Sequence, residues 1–273
     1  EGEQSGVYLW VPQPVQAPEQ REIQLVTEEP APLFADVQGV KLVFLENLQP
    51  GASYTVTQNL MVDRYSVETR VDVNKMPQSY DTTRRLYKRY TAADPLVPAD
   101  REAVVKLSRS VVGPERNPYR KARALYRYLI DRLEPDASTQ EADPLRSIET
   151  RKGSAFTYAL LFTALARSQG IPARPVAGYL IDRDLKSSRH YWAEFYVETV
   201  GWIPVDPFLG EGKNRQPLPA DQTPLSYYFG NLDFGRLAFS KGLIEVTQMD
   251  PSGRSIQRAD IPSLQTLHEQ AQA

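Results

Sequence analysis

The chain has 273 residues, 41% of them hydrophobic, a net charge of −2 and no cysteine. That length suits two modest domains, or one with an elaborated periphery. The charge leaves no basic footprint for nucleic acid, and the lack of cysteine excludes disulfides and thiolate metal sites while fitting either redox compartment. No run approaches the ~20 apolar residues of a transmembrane helix, so no membrane-spanning segment is expected.

Period-two patterning dominates the first third of the chain. Residues 7–12 (V-Y-L-W-V-P) and 39–45 (G-V-K-L-V-F-L) are β-type runs, and 53–62 and 64–74 alternate apolar with polar. Gly51 marks a turn, and prolines cluster between the early strands. This predicts an antiparallel β-sandwich over residues 1–76. After Pro98 the pattern becomes helical, with Val104, Leu107 and Val111 on one face. Asn117 caps a second helix whose first position is Pro118, and Ala122, Leu125, Tyr126, Leu129 and Ile130 form its apolar stripe. Residues 134–149 are polar and loop-like, the rim of a cleft.

The stretch 151–174 (R-K-G-S-A-F-T-Y-A-L-L-F-T-A-L-A-R-S-Q-G-I-P-A-R) organises everything that follows. It predicts a helix over 154–169, with Ser154 as N-cap. Gly170 stands where a left-handed residue ends a helix, and Pro172 prevents continuation. Little polar face remains between them, and a helix apolar nearly all round belongs inside the protein. Strands are predicted over 174–181 and 190–197, and a third begins in 201–206, with a polar turn at 182–189. Residues 207–224 are rich in proline, glycine and charge, and 227–233 with 237–240 read as a returning strand region. The core domain is placed at 77–245. A C-terminal tail, 246–273, carries His268 and no strong pattern beyond a short helix.

Four stretches in order, G-S-A-F-T-Y-A (153–159), R-S-Q-G-I-P-A-R (167–174), H-Y-W-A-E-F-Y (190–196) and G-W-I-P-V-D-P (201–207), resemble the bacterial transglutaminase-like proteins of the papain-like cysteine-enzyme superfamily. The resemblance implies an α+β fold in which an N-terminal β-sandwich precedes a core with a central buried helix on an antiparallel sheet. In that family the third residue of the first motif is the nucleophilic cysteine; here it is Ala155. The resemblance makes Ala155, His190 and Asp206 the three triad positions, two of them chemically intact.

The chemistry asks for a thiolate, a histidine that exchanges its proton and a group that orients the imidazole. A helix N-terminus favours the thiolate, through its dipole and free N–H groups, and position 155 has that location. Its backbone N–H is a candidate oxyanion donor. On strand alternation His190, Trp192, Glu194 and Tyr196 share one face. Ser154 lies about 100° around the helix from residue 155 and reads as a cap. Asp206 before Pro207 also fits the start of a turn. Trp192 and Trp202 read as core or cleft wall, and Arg174 and Glu194 as structural, Arg174 paired to a buried acid.

Three functions remain open at this point. One is a cysteine enzyme (peptidase, amidase or acyl transferase) with its cysteine replaced by alanine, inactive as written. Another is a natural pseudoenzyme that keeps the cleft for a peptide or protein. The third, less favoured because His190 and Asp206 survive, is a structural protein with a relic cleft. No phosphate loop or calcium-loop spacing is present, so no cofactor and no metal are expected. A chain that opens at Glu1 is read as processed or trimmed, and export to a periplasm or cell surface is expected, with the cytoplasm as the alternative.

Overall fold

A computed structural model describes residues 6–37, 39–138, 143–212, 218–249, 255–263 and 268–272. Strands β1 (Gly6–Pro12), β2 (Gln20–Glu29), β3 (Phe34–Val37), β4 (Val40–Glu46) and β5 (Thr57–Arg64) come first. After β6 (Val67–Glu68) the chain forms helices α1 (Arg85–Thr91), α2 (Glu102–Val112) and α3 (Pro118–Arg132). Strand β7 (Glu134–Pro135), α4 (Pro144–Thr150) and β8 (Lys152–Gly153) then lead into α5 (Ala155–Ser168). Strands β9 (Ala173–Ile181), β10 (Ser187–Val197) and β11 (Gly201–Val205) follow. The short helices α6 (Pro207–Gly210) and α7 (Pro224–Tyr227) precede β12 (Asn231–Leu232), β13 (Arg236–Lys241), β14 (Ile244–Met249), β15 (Ser255–Ser263) and β16 (His268–Gln272).

Two compact units result, residues 66–236 and a second that joins residues 1–65 to 237–273. In the second unit an antiparallel sheet runs β16-β1-β4-β3, and Tyr8, Trp10, Val40 and Leu42 are its core, with Phe34 and Phe44 packed on them. Separate antiparallel ladders join β2 to β5 and β14 to β15. Here the chain departs from the sequence reading in two ways. The segment after residue 245 is not a patternless tail with a short helix: its described residues form strands, and Trp10 pairs with His268 while Gly6 pairs with Gln272. The alternating run 64–74 is not a long strand either: Arg64 ends β5, opposite Gln20, and beyond it only Val67 and Glu68 join a ladder, opposite Leu232 and Asn231.

The core unit is built on α5. Every residue from Thr157 to Arg167 is buried, as an all-round apolar helix requires. Its N-terminus is tied by the Thr157 hydroxyl, which accepts the Ser154 N–H at 3.2 Å. At its other end the Gly170 N–H reaches the Arg167 carbonyl at 2.9 Å and the Ile171 N–H reaches that of Ala166 at 3.0 Å. That pair of bonds is a Schellman ending, with Gly170 at φ +70°. Helix α5 packs on β10 and β9, with α2, α3, α4 and α6 around it. Strand β10 pairs antiparallel with β9 on one side and with β11 on the other. The polar rim is more ordered than its composition indicated: β7 pairs in parallel with β8, and α4 is capped by Asp143, which accepts the Leu145 N–H at 2.8 Å. Residues 139–142 of that rim lie outside the described residues.

Candidate active site

Ala155 is the first residue of α5 and, with Ser154 and Phe156, is half-buried, whereas residues 157–167 are buried. The free N–H groups of a buried helix therefore open toward solvent at this one end. Ser154 is engaged there, its hydroxyl 3.2 Å from that of Thr157, as a cap should be. The rings of Phe156 and Tyr191 meet edge to face at 4.9 Å, so the first turn of α5 lies beside the His190 end of β10. Phe208 connects the same two elements, touching Tyr158 at 5.5 Å and the His190 ring at 6.2 Å between centroids.

His190 is 4% exposed, and its Nε2 lies 2.6 Å from Oδ2 of Asp206, which is 0% exposed. A carboxylate on Nε2 fixes the ring's orientation and leaves Nδ1 as the nitrogen for a reacting group. Asp206 engages both of its carboxylate oxygens. Its Oδ1 accepts the Leu209 N–H at 3.0 Å and caps α6, while Oδ2 takes the histidine. Trp192, two residues along β10, is buried against His190, with ring centroids 6.3 Å apart and 20° between planes.

Two further charged groups complete the cluster, and sequence reasoning missed them. Arg236 Nη1 lies 2.7 Å from Asp206 Oδ2, and its Nε bonds Asp233 Oδ2 at 3.3 Å. Three backbone bonds bring that segment here. The Asp206 N–H donates to Tyr228 O at 2.9 Å, Gly230 N–H to Pro204 O at 2.9 Å, and Ile181 N–H to Gly235 O at 2.7 Å. The available signal was charge in a segment that otherwise reads as a buried strand, since a buried charge needs a partner. Burial by itself pushes the Asp206 carboxyl up, but His190 and then Arg236, with the Leu209 N–H, outweigh it and hold it at about 2. Burial likewise opposes the Arg236 charge, and Asp206 followed by Asp233 reverses that, keeping the guanidinium above its ordinary range.

Arg174 and Glu194 stand opposite each other in the β9–β10 register and form a partly buried ion pair at 2.6 Å. The Arg174 guanidinium lies 4.0 Å over the Trp202 ring. These residues brace the sheet and leave the His190 cluster to β10 and β11.

A buried helix on an antiparallel sheet that carries a histidine–carboxylate pair is the core of the cysteine-protease and transglutaminase type. Residues 105–207 match the model of the Transglutaminase-like superfamily, so the chain carries a transglutaminase-like domain. A candidate cysteine protease from Cytophaga hutchinsonii shares the fold, with a TM-score of 0.59 at 15% identity over 98% of this chain and 85% of that one. The periplasmic domain of TgpA from Pseudomonas aeruginosa gives a TM-score of 0.43 at 17% identity, covering 76% of this chain and 70% of that one. An uncharacterized protein of Haemophilus influenzae is 25% identical over 183 residues, covering 55% of this chain and 49% of the relative. The chain thus spans about half the length of the curated relative it matches. Among the described residues no helix is long and apolar enough to cross a membrane.

Proposed function

We propose that this chain is the core of a transglutaminase-like cysteine enzyme, acting on amide carbonyls of peptides or proteins, whose nucleophile position holds Ala155. The observation that carries the reading is the buried His190–Asp206 pair at 2.6 Å beside the first turn of α5. A buried ion pair contributes little stability relative to apolar packing of the same volume, which supports a site kept for chemistry or recognition. In such a site a thiolate at position 155 attacks the amide carbon, and His190 passes its proton to the leaving amine. The backbone N–H of residue 155 would be one donor to the oxyanion. Alanine has no lone pair to give, so a bound amide stays intact in this chain. The intact pair equally favours a second reading, a pseudoenzyme whose cleft is a peptide- or protein-binding module.

The test is Ala155→Cys. Its alkylation by iodoacetamide across pH should report a thiol pKa below the ~8.5 of free cysteine, and His190→Ala in the same background should return it toward that value. A thiol that titrates near ~8.5 with or without His190 refutes the reading. Export to a periplasm or cell surface belongs to the same proposal, with the presence of a β-rich unit as its support. Fractionation of the full-length protein in its own cells decides between export and a cytoplasmic location.

A further inference from the structure

We propose that Arg236 is a positioning residue of this site, holding Asp206 ionised and turned toward His190 whatever the protonation state of the imidazole. The proposal rests on the reading of Ala155, His190 and Asp206 as the triad positions and adds a fourth residue that acts only through the carboxylate.

The argument begins with the cost of the carboxylate. Asp206 is 0% exposed, and an isolated buried anion takes up a proton rather than remain charged. Its neighbours supply three favourable interactions: the Leu209 N–H at 3.0 Å, His190 at 2.6 Å and Arg236 at 2.7 Å. The first is a dipole. The second is a charge only while the ring is protonated, and a histidine in acyl transfer must lose and regain that proton. Arg236 alone is cationic throughout, because a guanidinium does not deprotonate in a protein. With His190 neutral, Asp206 and Asp233 against Arg236 leave one net negative charge in the cluster. A proton on His190 brings it to neutrality. The cluster is therefore built to receive that proton and to keep its anion when the proton departs.

Geometry makes the residue specific. Arg236 is 6% exposed and lies between two aromatic faces, its guanidinium carbon 5.2 Å from the Trp192 ring centre and 5.3 Å from that of Tyr228. Trp192 also packs on His190, so one indole sets both the imidazole and the guanidinium. Asp233 anchors the far side: its Oδ2 accepts Arg236 Nε at 3.3 Å and its Oδ1 accepts the Gly235 N–H at 2.9 Å. The titratable and charged groups around Asp206 are thus His190 from β10, Arg236 and Asp233 from the returning segment, Tyr228 after α7, and Tyr126 from α3.

The test uses the full chain in the Ala155→Cys background, with iodoacetamide alkylation followed across pH. Adding Arg236→Gln should raise the apparent thiol pKa by about one unit, making alkylation near pH 6 about tenfold slower. Arg236→Lys keeps the charge and should restore most of the parent profile, which a purely structural contribution would not do. An Arg236→Gln profile that superimposes on the parent, while His190→Ala shifts it, overturns the inference and leaves the reading of the triad standing. A parent thiol insensitive to His190 overturns that reading and the inference with it. Should Arg236→Gln fail to fold by near-ultraviolet circular dichroism, Asp233→Asn carries the test, since it releases the guanidinium's anchor and keeps its charge. A smaller pKa rise in the same direction is then expected, and no rise overturns the proposal.

Discussion

Asp206→Asn preserves the side chain's shape and removes its charge, and the structure sets how much that should matter. The carboxyl is held at about 2 against an ordinary value of 3.8, with the group completely buried. At ~1.4 kcal/mol per pH unit, the displacement corresponds to about 2–3 kcal/mol of stability at neutral pH. The variant also leaves Arg236 buried with only Asp233 beside it, at 3.3 Å. Removing one member of a buried pair costs ~3–5 kcal/mol, so ~3 kcal/mol is the common ground of the two estimates. For a chain of this size each kcal/mol moves the melting temperature by ~2–4 °C, and a fall of ~6–12 °C is expected at pH 7. A depressed folded-state pKa contributes stability above the unfolded value, lost as pH falls through the folded value. The deficit should therefore shrink to about half near pH 3 and vanish below ~2. Differential scanning calorimetry of both proteins from pH 7 to pH 3 measures it. A variant that melts within ~1 °C of the parent at pH 7, or a deficit unchanged at pH 3, would show that the carboxylate is not held by the interactions described.

Two other outcomes follow from the same packing. A Cβ at Gly235 would lie 2.6 Å from the Ile181 carbonyl oxygen and 2.9 Å from Asp233 Oδ1; because the first is backbone it cannot swing aside, so Gly235→Ala should destabilise the core by ~1–3 kcal/mol, and an unchanged urea midpoint would contradict this. Burial first of all raises Tyr80, Tyr126, Tyr158 and Tyr228 above the ordinary phenol range. The stability they contribute is complete below the unfolded value of ~10 and falls as pH rises beyond it. Absorbance of phenolate should then reveal a tyrosine subset that ionises only as circular dichroism is lost, and full ionisation near pH ~10 with the fold intact would count against it.

Local chemistry was enough to read the centre of this protein from its sequence. Ser154, Gly170 and Pro172 bound a helix by capping and backbone geometry alone, and the structure begins and ends α5 within one residue of that reading. Strands β9, β10 and β11 follow from alternation and turn residues, which act over a few positions. The histidine and the aspartate were legible because they sit in motifs beside those elements. What sequence could not display was pairing at a distance. The strands after residue 243 have a weak pattern of their own: β14 and β15 pair with each other, and β16 depends on the edge of β1 at the other end of the chain. The run 64–74 alternates as well as any strand, yet most of it has no neighbour to pair with, and alternation without a partner does not make a sheet. Arg236 is the clearest case. Read in the sequence it is one arginine among 32 basic residues. Only the folding of the returning segment onto β9 and β11 carries it into a dry pocket against Asp206, where low dielectric turns an ordinary side chain into the counter-charge of the site.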